Sequence, residues 1–350
     1  MAFSTINKSS SFMNTKLYTG TGSSNAITGV GFQPDWVWLK NIGSTSDHKT
    51  VDAVRGATKY LEPNDNQAEA TTSNFVSLDS DGFTITGTDV AYNQNSETFA
   101  SWNWKANGAG SANTDGSINT TSTSVNTTAG FSISKYVGTG SNATVGHGLG
   151  VAPSCIITKN LSATQSWCNG YTALGWTKNL HLNESGAVET TTDIWNDTAP
   201  TSSVFSVGTN TKTNGSGNDM IAYCFAEVTG YSKFGSYTGN GNADGTFVYT
   251  GFKPNWLMVR RTNSAEDWMM FDIKRTPYYP TSASYGGMAT RVMANDTRGD
   301  DLSQGGAEWY SNGFKWTTSW AGGNGNGDTY IYMAFGQPII SNGGVCATAR

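Results

Sequence analysis

Charged residues and prolines are scarce in this chain of 350 residues. Only 13% of the residues are Asp, Glu, Lys or Arg, against about 25% in a typical soluble domain. The net charge of −5 gives no electrostatic reason to bind nucleic acid or an anionic membrane. Only 8 residues are Pro, whereas 42 are Gly, and Ser, Thr and Asn fill much of the remainder. This composition predicts an all-β protein whose surface is rich in hydroxyl and amide groups.

Long apolar runs and paired cysteine motifs are also missing. No run approaches the ~20 residues that a membrane helix needs. The N-terminal sequence MAFSTINKSSSFMNTKLYTG has no apolar core, so we predict no signal peptide. Four cysteines, none in CxxC spacing, are interpreted as reduced thiols of a protein made in a cytoplasm: Cys155, Cys168, Cys224 and Cys346.

Aromatic residues, by contrast, are abundant, and one aromatic stretch recurs. They make up 12% of the chain and include 12 Trp, which excludes a disordered chain. The recurring stretch is GFQPDWVWLKN at residues 31–41, LGVAPSCIITKN at 149–160 and GFKPNWLMVRR at 251–261. Alignment on the prolines makes Lys40, Lys159 and Arg260 correspond, and likewise Asp52, Tyr171 and Asp272. A repeated unit of this kind determines the reading of the whole fold.

The similarity extends well beyond this stretch. A Tyr-x-Gly-x-Gly motif precedes each copy, beginning at Tyr18, Tyr136 and Tyr237, and an aromatic strand closes each copy, ending at Trp104, Phe225 and Phe335. The period is about 100 residues, the size of one β-sandwich. We therefore predict three tandem β-sandwich (jelly-roll-like) repeats with little helix. The predicted boundaries are an N-terminal segment 1–14, repeat 1 at 15–106, a linker at 107–130, repeat 2 at 131–227, repeat 3 at 231–337 and a C-terminal tail 338–350.

Two features predict how the repeats are joined. The strand around Trp36 is apolar on both faces, so it should be covered on both, inside a sandwich or by a neighbouring repeat. The segment 107–130 is a low-complexity run of Ser, Thr, Asn and Gly, which predicts a linker or an extended strand laid over the surface. Such a linker would let repeat 1 move, whereas the short join between repeats 2 and 3 predicts a rigid pair.

Catalytic and metal-binding patterns are weak throughout. The histidines are His48, His147 and His181. His48 aligns with two tryptophans, so that position favours a flat ring over a proton carrier. Asp52 and Asp272 belong to different repeats, and hydrogen bonding to a turn is favoured over a glycosidase pair. The sequences LDSDGF and GGNGNGD are interpreted as turns and not as calcium loops. We predict no catalytic residues, no metal and no cofactor.

A sugar-binding role is the one site hypothesis that the repeats suggest. The residues are three aligned rings and two neighbouring acids: His48, Trp167, Trp268, Asp47 and Asp267. Rings on loops beside carboxylates could stack on a pyranose and accept its hydroxyls. The alternative, which we favour, is that the rings cap the sandwich core.

The repeated motifs resemble a repeat domain of marine bacteriophage proteins. The pattern consists of Tyr-x-Gly-x-Gly, Gly-Phe-x-Pro-x-Trp with a following Lys, a Gly-Phe turn and a closing aromatic strand. The closest stretches are KFGSYTGNGNADGTFVYTGFKPNWLMVRRT and TYIYMAFGQP in repeat 3. The resemblance covers residues 17–338 and points to cyanophage- or pelagiphage-like virion proteins, whose domain has no defined function and no catalytic residues that could be carried over.

This resemblance implies a virion component that is extracellular in the particle. Its implied partners are other virion proteins, and self-association, a homotrimer above all, is expected. The favoured role is a tail-fibre or receptor-binding protein that adheres to a host surface glycan or protein. The first alternative is a capsid decoration or head-fibre protein, because the sequence contains no coiled-coil or collagen-like shaft. A polysaccharide depolymerase is the enzymatic alternative.

Overall fold

Antiparallel strands make up almost all of the regular structure in the computed structural model, which describes residues 4–275, 290–302 and 306–340. The all-β prediction is confirmed. The helical turns in the described ranges are short: a 3₁₀ turn at Ser9–Ser11, α1 at Thr211–Asn214 and α2 at Ala321–Asn324. Cys346 and most of the predicted C-terminal tail lie outside the described residues.

The strands fall into three series along the chain. Repeat 1 contains β1 Met13–Thr19, β2 Asn25–Thr28, β3 Trp36–Asn41, β4 Lys49–Asp52, β5 Lys59–Tyr60, β6 Ala70–Thr71, β7 Phe75–Asp79, β8 Gly82–Ile85 and β9 Thr98–Trp104. Next come β10 Thr120–Asn126, β11 Phe131–Val137, β12 Ala143–Gly146, β13 Cys155–Asn160, β14 Cys168–Tyr171, β15 Lys178–His181, β16 Glu189–Thr190, β17 Val204–Val207 and β18 Asp219–Phe225. Repeat 3 contains β19 Ser232–Thr238, β20 Phe247–Tyr249, β21 Phe252–Arg261, β22 Met269–Asp272, β23 Val292–Met293, β24 Ala307–Tyr310, β25 Gly313–Trp316 and β26 Thr329–Pro338.

Strand order is the same in the three series. Each has a large sheet that contains the order β1-β9-β3-β4, β11-β18-β13-β14 or β19-β26-β21-β22. Each also has a small sheet, β2-β8-β7, β12-β17 or β20-β25-β24. Within the fully described residues 131–227, no strand corresponds to β7. The recurring aromatic stretch is the third strand of each of these orders, and it pairs with the closing strand, so that Trp36 lies opposite Trp104 and Trp256 opposite Phe335.

One face of each large sheet packs against the small sheet of the same repeat. In repeat 1 this sandwich core contains Val37, Leu39 and Val51 from the large sheet and Phe83 and Ile85 from the small sheet, all fully buried. Repeats 2 and 3 each have a corresponding cluster. Because β3 alternates along its length, these residues occupy only one of its two faces.

The opposite faces of the three large sheets meet in one shared hydrophobic cluster, which we call the central core. The third and closing strands of all three repeats contribute these members: Trp36, Trp38, Trp102, Trp104, Ile157, Tyr223, Phe225, Trp256, Met258, Met333 and Phe335. The Phe335 ring centroid lies 6.0 Å from those of both Trp104 and Phe225. The strand is therefore apolar on both faces because both suggested coverings are present, a sandwich on one side and neighbouring repeats on the other.

The segment 107–130 is not a free linker. Strand β10 pairs along β11, from Thr120 opposite Tyr136 to Asn126 opposite Phe131, and so extends the large sheet of repeat 2. Ile118, which precedes it, is buried in the sandwich core of repeat 2. The extended-strand alternative describes this segment, and repeat 1 is held through the central core, contrary to the prediction that it would move independently.

A buried asparagine explains the recurring Tyr-x-Gly-x-Gly motif. Asn324 is fully buried; its Oδ1 accepts from the N–H of Asn240 at 3.1 Å, and its Nδ2 donates to the carbonyls of Asn242 and Thr318 at 2.9 and 2.8 Å. A Cβ on Gly239 would lie 2.3 Å from the carbonyl oxygen of Gly325, which follows Asn324 in the chain, and this is why glycine is required there. Asn93 and Asn214 hold the equivalent loops of repeats 1 and 2.

Replacement of Asn324 by alanine is expected to lower the free energy of unfolding by about 3 kcal/mol, because it removes several hydrogen bonds between a fully buried side chain and partly buried backbone groups, at about 1 kcal/mol each. Urea denaturation of the full chain measures the change. Asn326 lies exposed in the same turn, so Asn326→Ala is the control and should change stability by less than about 0.5 kcal/mol. Equal effects of the two substitutions would contradict this account of the motif.

Candidate functional site

The three rings of the sugar-binding hypothesis do not face solvent. His48, Trp167 and Trp268 are at most 1% exposed. Each instead reaches a backbone carbonyl of a different repeat: His48 Nε2 to Met293 at 3.1 Å, Trp167 Nε1 to Glu62 at 3.0 Å and Trp268 Nε1 to His181 at 2.8 Å. The hypothesis of a ligand-facing ring is corrected here, because the face of the large sheet that carries these rings is covered by the neighbouring repeat. The favoured alternative also needs revision, because the tryptophans pack in the central core and not over a single sandwich.

The two acids of the hypothesis brace the loops that carry the rings. Asp47 Oδ1 accepts from Asn64 Nδ2 at 2.8 Å, and Asp267 Oδ1 accepts from Asn295 Nδ2 at 2.7 Å. Each of these asparagines in turn accepts, through Oδ1, from the backbone N–H of the ring residue in its own repeat. Both carboxylates are partly exposed, but the rings that were to stack on a sugar beside them are buried.

His48 is held as a neutral imidazole. Its Nδ1 accepts from Trp38 Nε1 at 2.9 Å, so its Nε2 carries the hydrogen that is donated to Met293. Burial, and secondarily the nearby Lys40, lower the pKa of His48 well below its usual range. The side chain is fixed as a hydrogen-bonding ring, and this agrees with the tryptophans at the equivalent positions.

Stability should therefore fall as the pH drops below about 6.5, the usual histidine pKa. In that range the unfolded chain binds a proton that His48 in the folded chain does not bind, at a cost of up to about 1.4 kcal/mol per pH unit. The pKa of His147 is also lowered by burial and adds in the same direction. Denaturant titrations at several pH values between 7.5 and 5 measure the slope. His48→Gln, which can accept and donate in the same places, should reduce the slope, and an unchanged slope would contradict the assignment.

A buried cation at one equivalent position of each repeat makes a second set of contacts. Lys40, Lys159 and Arg260 are fully buried. They donate to backbone carbonyls of a neighbouring repeat, Lys40 to Thr297 at 2.9 Å, Lys159 to Asn66 at 3.1 Å and Arg260 to Gly186. Loss of solvation lowers the pKa of each lysine to about 8 and that of Arg260 to about 10. The cation that recurs in the aromatic stretch therefore links each repeat to its neighbour by hydrogen bonds.

Backbone hydrogen bonds follow the same cyclic order. In one set Ser46 donates to Thr297 at 2.9 Å, Gln165 to Asn66 at 2.9 Å and Glu266 to Ser185 at 3.0 Å. In the reciprocal set Asp300 donates to Ile42 at 2.9 Å, Glu69 to Leu161 at 3.0 Å and Val188 to Thr262 at 2.9 Å. Repeat 1 thus contacts repeat 3, repeat 2 contacts repeat 1 and repeat 3 contacts repeat 2 through equivalent surfaces. This is a head-to-tail arrangement that closes into a ring, here within one chain.

The aspartates considered for a glycosidase pair serve the same interfaces. Asp52 Oδ2 accepts from the Tyr223 hydroxyl of repeat 2 at 2.7 Å, and Asp272 Oδ2 accepts from Trp102 Nε1 of repeat 1 at 3.0 Å. The Oδ1 atom of Asp52 accepts from backbone N–H groups of the following turn, as does that of Asp272. The predicted hydrogen bonding to a turn is confirmed, and each aspartate also pairs with a buried arginine three residues later.

At the interface between repeats 2 and 3, the aspartate, its arginine partner and the hydrogen-bond donor are all replaced together. Tyr171 stands where repeats 1 and 3 have Asp, and Leu174 stands where they have the paired arginine. The register of the closing strands places Met333 at the position of the hydrogen-bond donors Trp102 and Tyr223. At one of the three interfaces, therefore, uncharged residues replace the carboxylate acceptor and its arginine counter-ion, and Met333 replaces the hydrogen-bond donor.

The remaining sequence candidates are also structural. Cys155, Cys168 and Cys224 are free and buried, and burial raises the pKa of the first two to about 12. In LDSDGF, the Asp81 carboxylate accepts from the N–H groups of Gly29 and Gly31 at 2.9 and 2.7 Å. Among the residues that the structure describes, no group of three or more His, Cys, Asp or Glu side chains could hold a metal ion. No helix in the described ranges is long and apolar enough to span a membrane.

A surface cleft where repeats 2 and 3 join is a feature that sequence reasoning missed. Its volume is about 390 Å³, and it lies between the end of β26 and the turn before β19. Its polar lining includes Glu227 and Lys233, and the ring of Tyr249 borders it. A sequence signal exists, because FVY in β20 occupies the positions of AIT in β2 and TVG in β12, so that only repeat 3 has rings there.

The fold and its contacts define a class of protein: a single-chain ring of three β-sandwich units closed around a common hydrophobic core. The family is identified by sequence. Residues 8–338 match the profile of a family described as Domain of unknown function (DUF7483), and the chain belongs to that family. The match spans all three repeats. No curated protein matches the sequence.

Proposed function

We propose that this protein is a structural component of a bacteriophage particle, of the tail-fibre or receptor-binding type, that adheres non-covalently to the host surface. The motif resemblance described above supports a virion component. The observation that carries the adhesive role is the closed ring, because it occupies one face of every large sheet internally. The outer faces of the three small sheets are then held in a fixed arrangement and remain available to other molecules.

The burial and hydrogen bonding of the candidate acid and base residues support a binding role over a catalytic one. Asp52, Asp272 and His48 all have their hydrogen-bonding capacity used between repeats. A catalytic acid or base must reach the substrate, and these three groups are buried. The proposed activity is therefore adhesion by exposed surfaces on a rigid scaffold, with no chemical step and no cofactor.

A capsid decoration or head-fibre protein is the second candidate, favoured by the path of the N-terminal segment. Ser9 Oγ donates to Gln337 Oε1 at 3.0 Å, Gln337 Nε2 donates to the carbonyl of Asn7 at 2.9 Å, and Asn255 Nδ2 donates to Ser9 Oγ at 3.2 Å. From Ser4 onwards the described chain thus follows the ring and does not extend away from it as an attachment arm. A compact ring suits a protein that sits on a capsid surface.

The expected partners in either role are other virion proteins. A homotrimer stays a prediction, because the threefold arrangement seen here is formed inside one chain. Such a chain could cap a threefold assembly as one subunit or associate further. Sedimentation equilibrium of the purified full chain distinguishes these two arrangements.

Competition for adsorption tests the proposed function. Purified folded protein, added to host cells before the phage, should slow phage adsorption in proportion to its concentration, while heat-denatured protein should not. Protein that leaves adsorption unchanged, but rebinds heads stripped of it and raises their thermal stability, would reject the receptor-binding role and support the decoration role.

A further inference from the structure

We propose that the outer face of the small sheet of repeat 3, around Tyr249, is a binding site for an uncharged polysaccharide strand. The inference rests on the proposed adhesive function and names the ligand class and the surface that serve it. The proposed sugar-binding site consists of exposed rings on repeat 3 and does not include the buried rings at the interfaces.

Strand β20 presents two aromatic rings to solvent. Tyr249 is 57% exposed and Phe247 is 42% exposed, whereas Val248 between them points into the sandwich and is 5% exposed. A third ring, Tyr310 on β24, meets Phe247 edge-on with centroids 5.8 Å apart. Exposed rings grouped on one sheet face mark an interaction surface, unlike single exposed apolar residues, which are common.

The equivalent strands of the other repeats form the same sandwich without aromatic residues at these two positions. The strand registers make Ala26 and Thr144 equivalent to Phe247, and Thr28 and Gly146 equivalent to Tyr249. The inward residue between them is apolar in every repeat, as the sandwich requires. A feature that repeats 1 and 2 lack while keeping the same sandwich is free to serve binding.

Groups that can bind hydroxyls lie beside the exposed ring. Lys233 Nζ lies 5.5 Å from the centroid of the Tyr249 ring and donates to the Tyr249 carbonyl at 3.2 Å. The carboxylate of Glu227, which accepts from the N–H of Phe234 at 3.1 Å, lines the same cleft. The cleft volume of about 390 Å³ falls within the usual range of ligand pockets, about 300–1,000 Å³.

The chemistry of the face favours a polysaccharide over other ligands. Flat rings offer stacking surfaces, and Phe247 and Tyr249 are two strand residues apart, about 7 Å, which is on the scale of a sugar ring. The charged side chains near the rings are of both signs, with Lys233 and Glu227 lining the cleft and Lys315 paired with Asp244 beside it. This balance gives no preference for a charged ligand.

The test is binding of maltohexaose, cellohexaose, chitohexaose and mannohexaose, with hyaluronan and heparin fragments as charged probes, to the purified full chain by calorimetry. Phe247→Ala with Tyr249→Thr installs the residues of repeat 1 and should weaken the best uncharged probe at least about tenfold. Val76→Thr is the matched control, because Val76 is a 49% exposed residue of the small sheet of repeat 1; it should leave affinity unchanged. Thermal melting confirms that both variants fold.

Four outcomes would overturn the site, its ligand class or both the site and the proposed function. Equal affinity of wild type and the double variant would remove Tyr249 and Phe247 from the site. Binding of only the charged probes would reject the ligand class. Blocking of phage adsorption without binding of any probe would reject the polysaccharide while the proposed function stands, whereas failure in both assays would reject the two together.

Discussion

A chain that ends at Thr229, and so lacks repeat 3, is expected not to reach a cooperatively folded state. It would expose the sides of Trp104 and Phe225 that face Phe335, and it would leave buried Lys40 without the Thr297 carbonyl. Exposure of each large apolar side chain costs about 1.5–3 kcal/mol. Several such losses exceed the 5–15 kcal/mol by which a domain is typically stable.

Near-ultraviolet circular dichroism and urea denaturation measure this outcome, and a circular permutant with the same break is the control. The permutant starts at Tyr231 and joins Pro338 to Ser4 through a flexible Gly/Ser linker. Ser4 and Pro338 both lie against Gly230, so the join is short and the ring keeps all three repeats. The permutant should fold. A sharp urea transition of the truncated chain would show that two repeats suffice.

Replacement of Asp52 by alanine is expected to lower the free energy of unfolding by about 3–5 kcal/mol, the cost of leaving a buried charge without its partner. The side chain of Arg55 is almost fully buried beside Asp52 and would keep as a carboxylate partner only the more distant Glu69, 3.5 Å away. The Tyr223 hydroxyl of the next repeat would lose its acceptor. Urea denaturation of the full chain measures the loss.

The chain supplies the matched control for this substitution. Asp52→Tyr, Arg55→Leu and Tyr223→Met together install the set found where repeats 2 and 3 meet, which is Tyr171, Leu174 and Met333. Because uncharged residues of suitable size can replace a buried ion pair at little cost, the triple variant should recover most of the stability lost in Asp52→Ala. A triple variant as unstable as the single one would contradict the equivalence of the interfaces.

The sequence predicts the strands and their repetition because both are local properties. Trp36 and Trp38 alternate with Val37 and Leu39, and the same alternation returns at a fixed distance along the chain. The double-sided apolar pattern correctly predicts that both faces are covered. It does not say by what, because ring closure depends on how three sheets orient towards one another, and no local pattern encodes that orientation. For a related reason, the composition of the segment 107–130 does not decide between a linker and an extended strand: its pairing partner β11 defines it as a strand.

The sugar-binding hypothesis is wrong about the exposure of its three rings, which are buried. The residue type at this position is the one the sequence indicates. The sequence groups His48, Trp167 and Trp268 as one position that favours a flat ring, but the polar residues around them suggest an exposed loop. Those neighbours supply the backbone hydrogen bonds that join one repeat to the next. Phe247 and Tyr249 are rings that only repeat 3 has, and this difference between the copies is the sequence signal for its exposed surface.

Differential scanning calorimetry of the full chain tests the central claim, that three repeats share one core and unfold together. The account predicts a single transition whose calorimetric enthalpy equals the van't Hoff enthalpy, at about 0.7 kcal/mol per residue over the whole chain. Two or three separable transitions, each with the roughly 60–80 kcal/mol of an independent domain of about 100 residues, would contradict the closed ring.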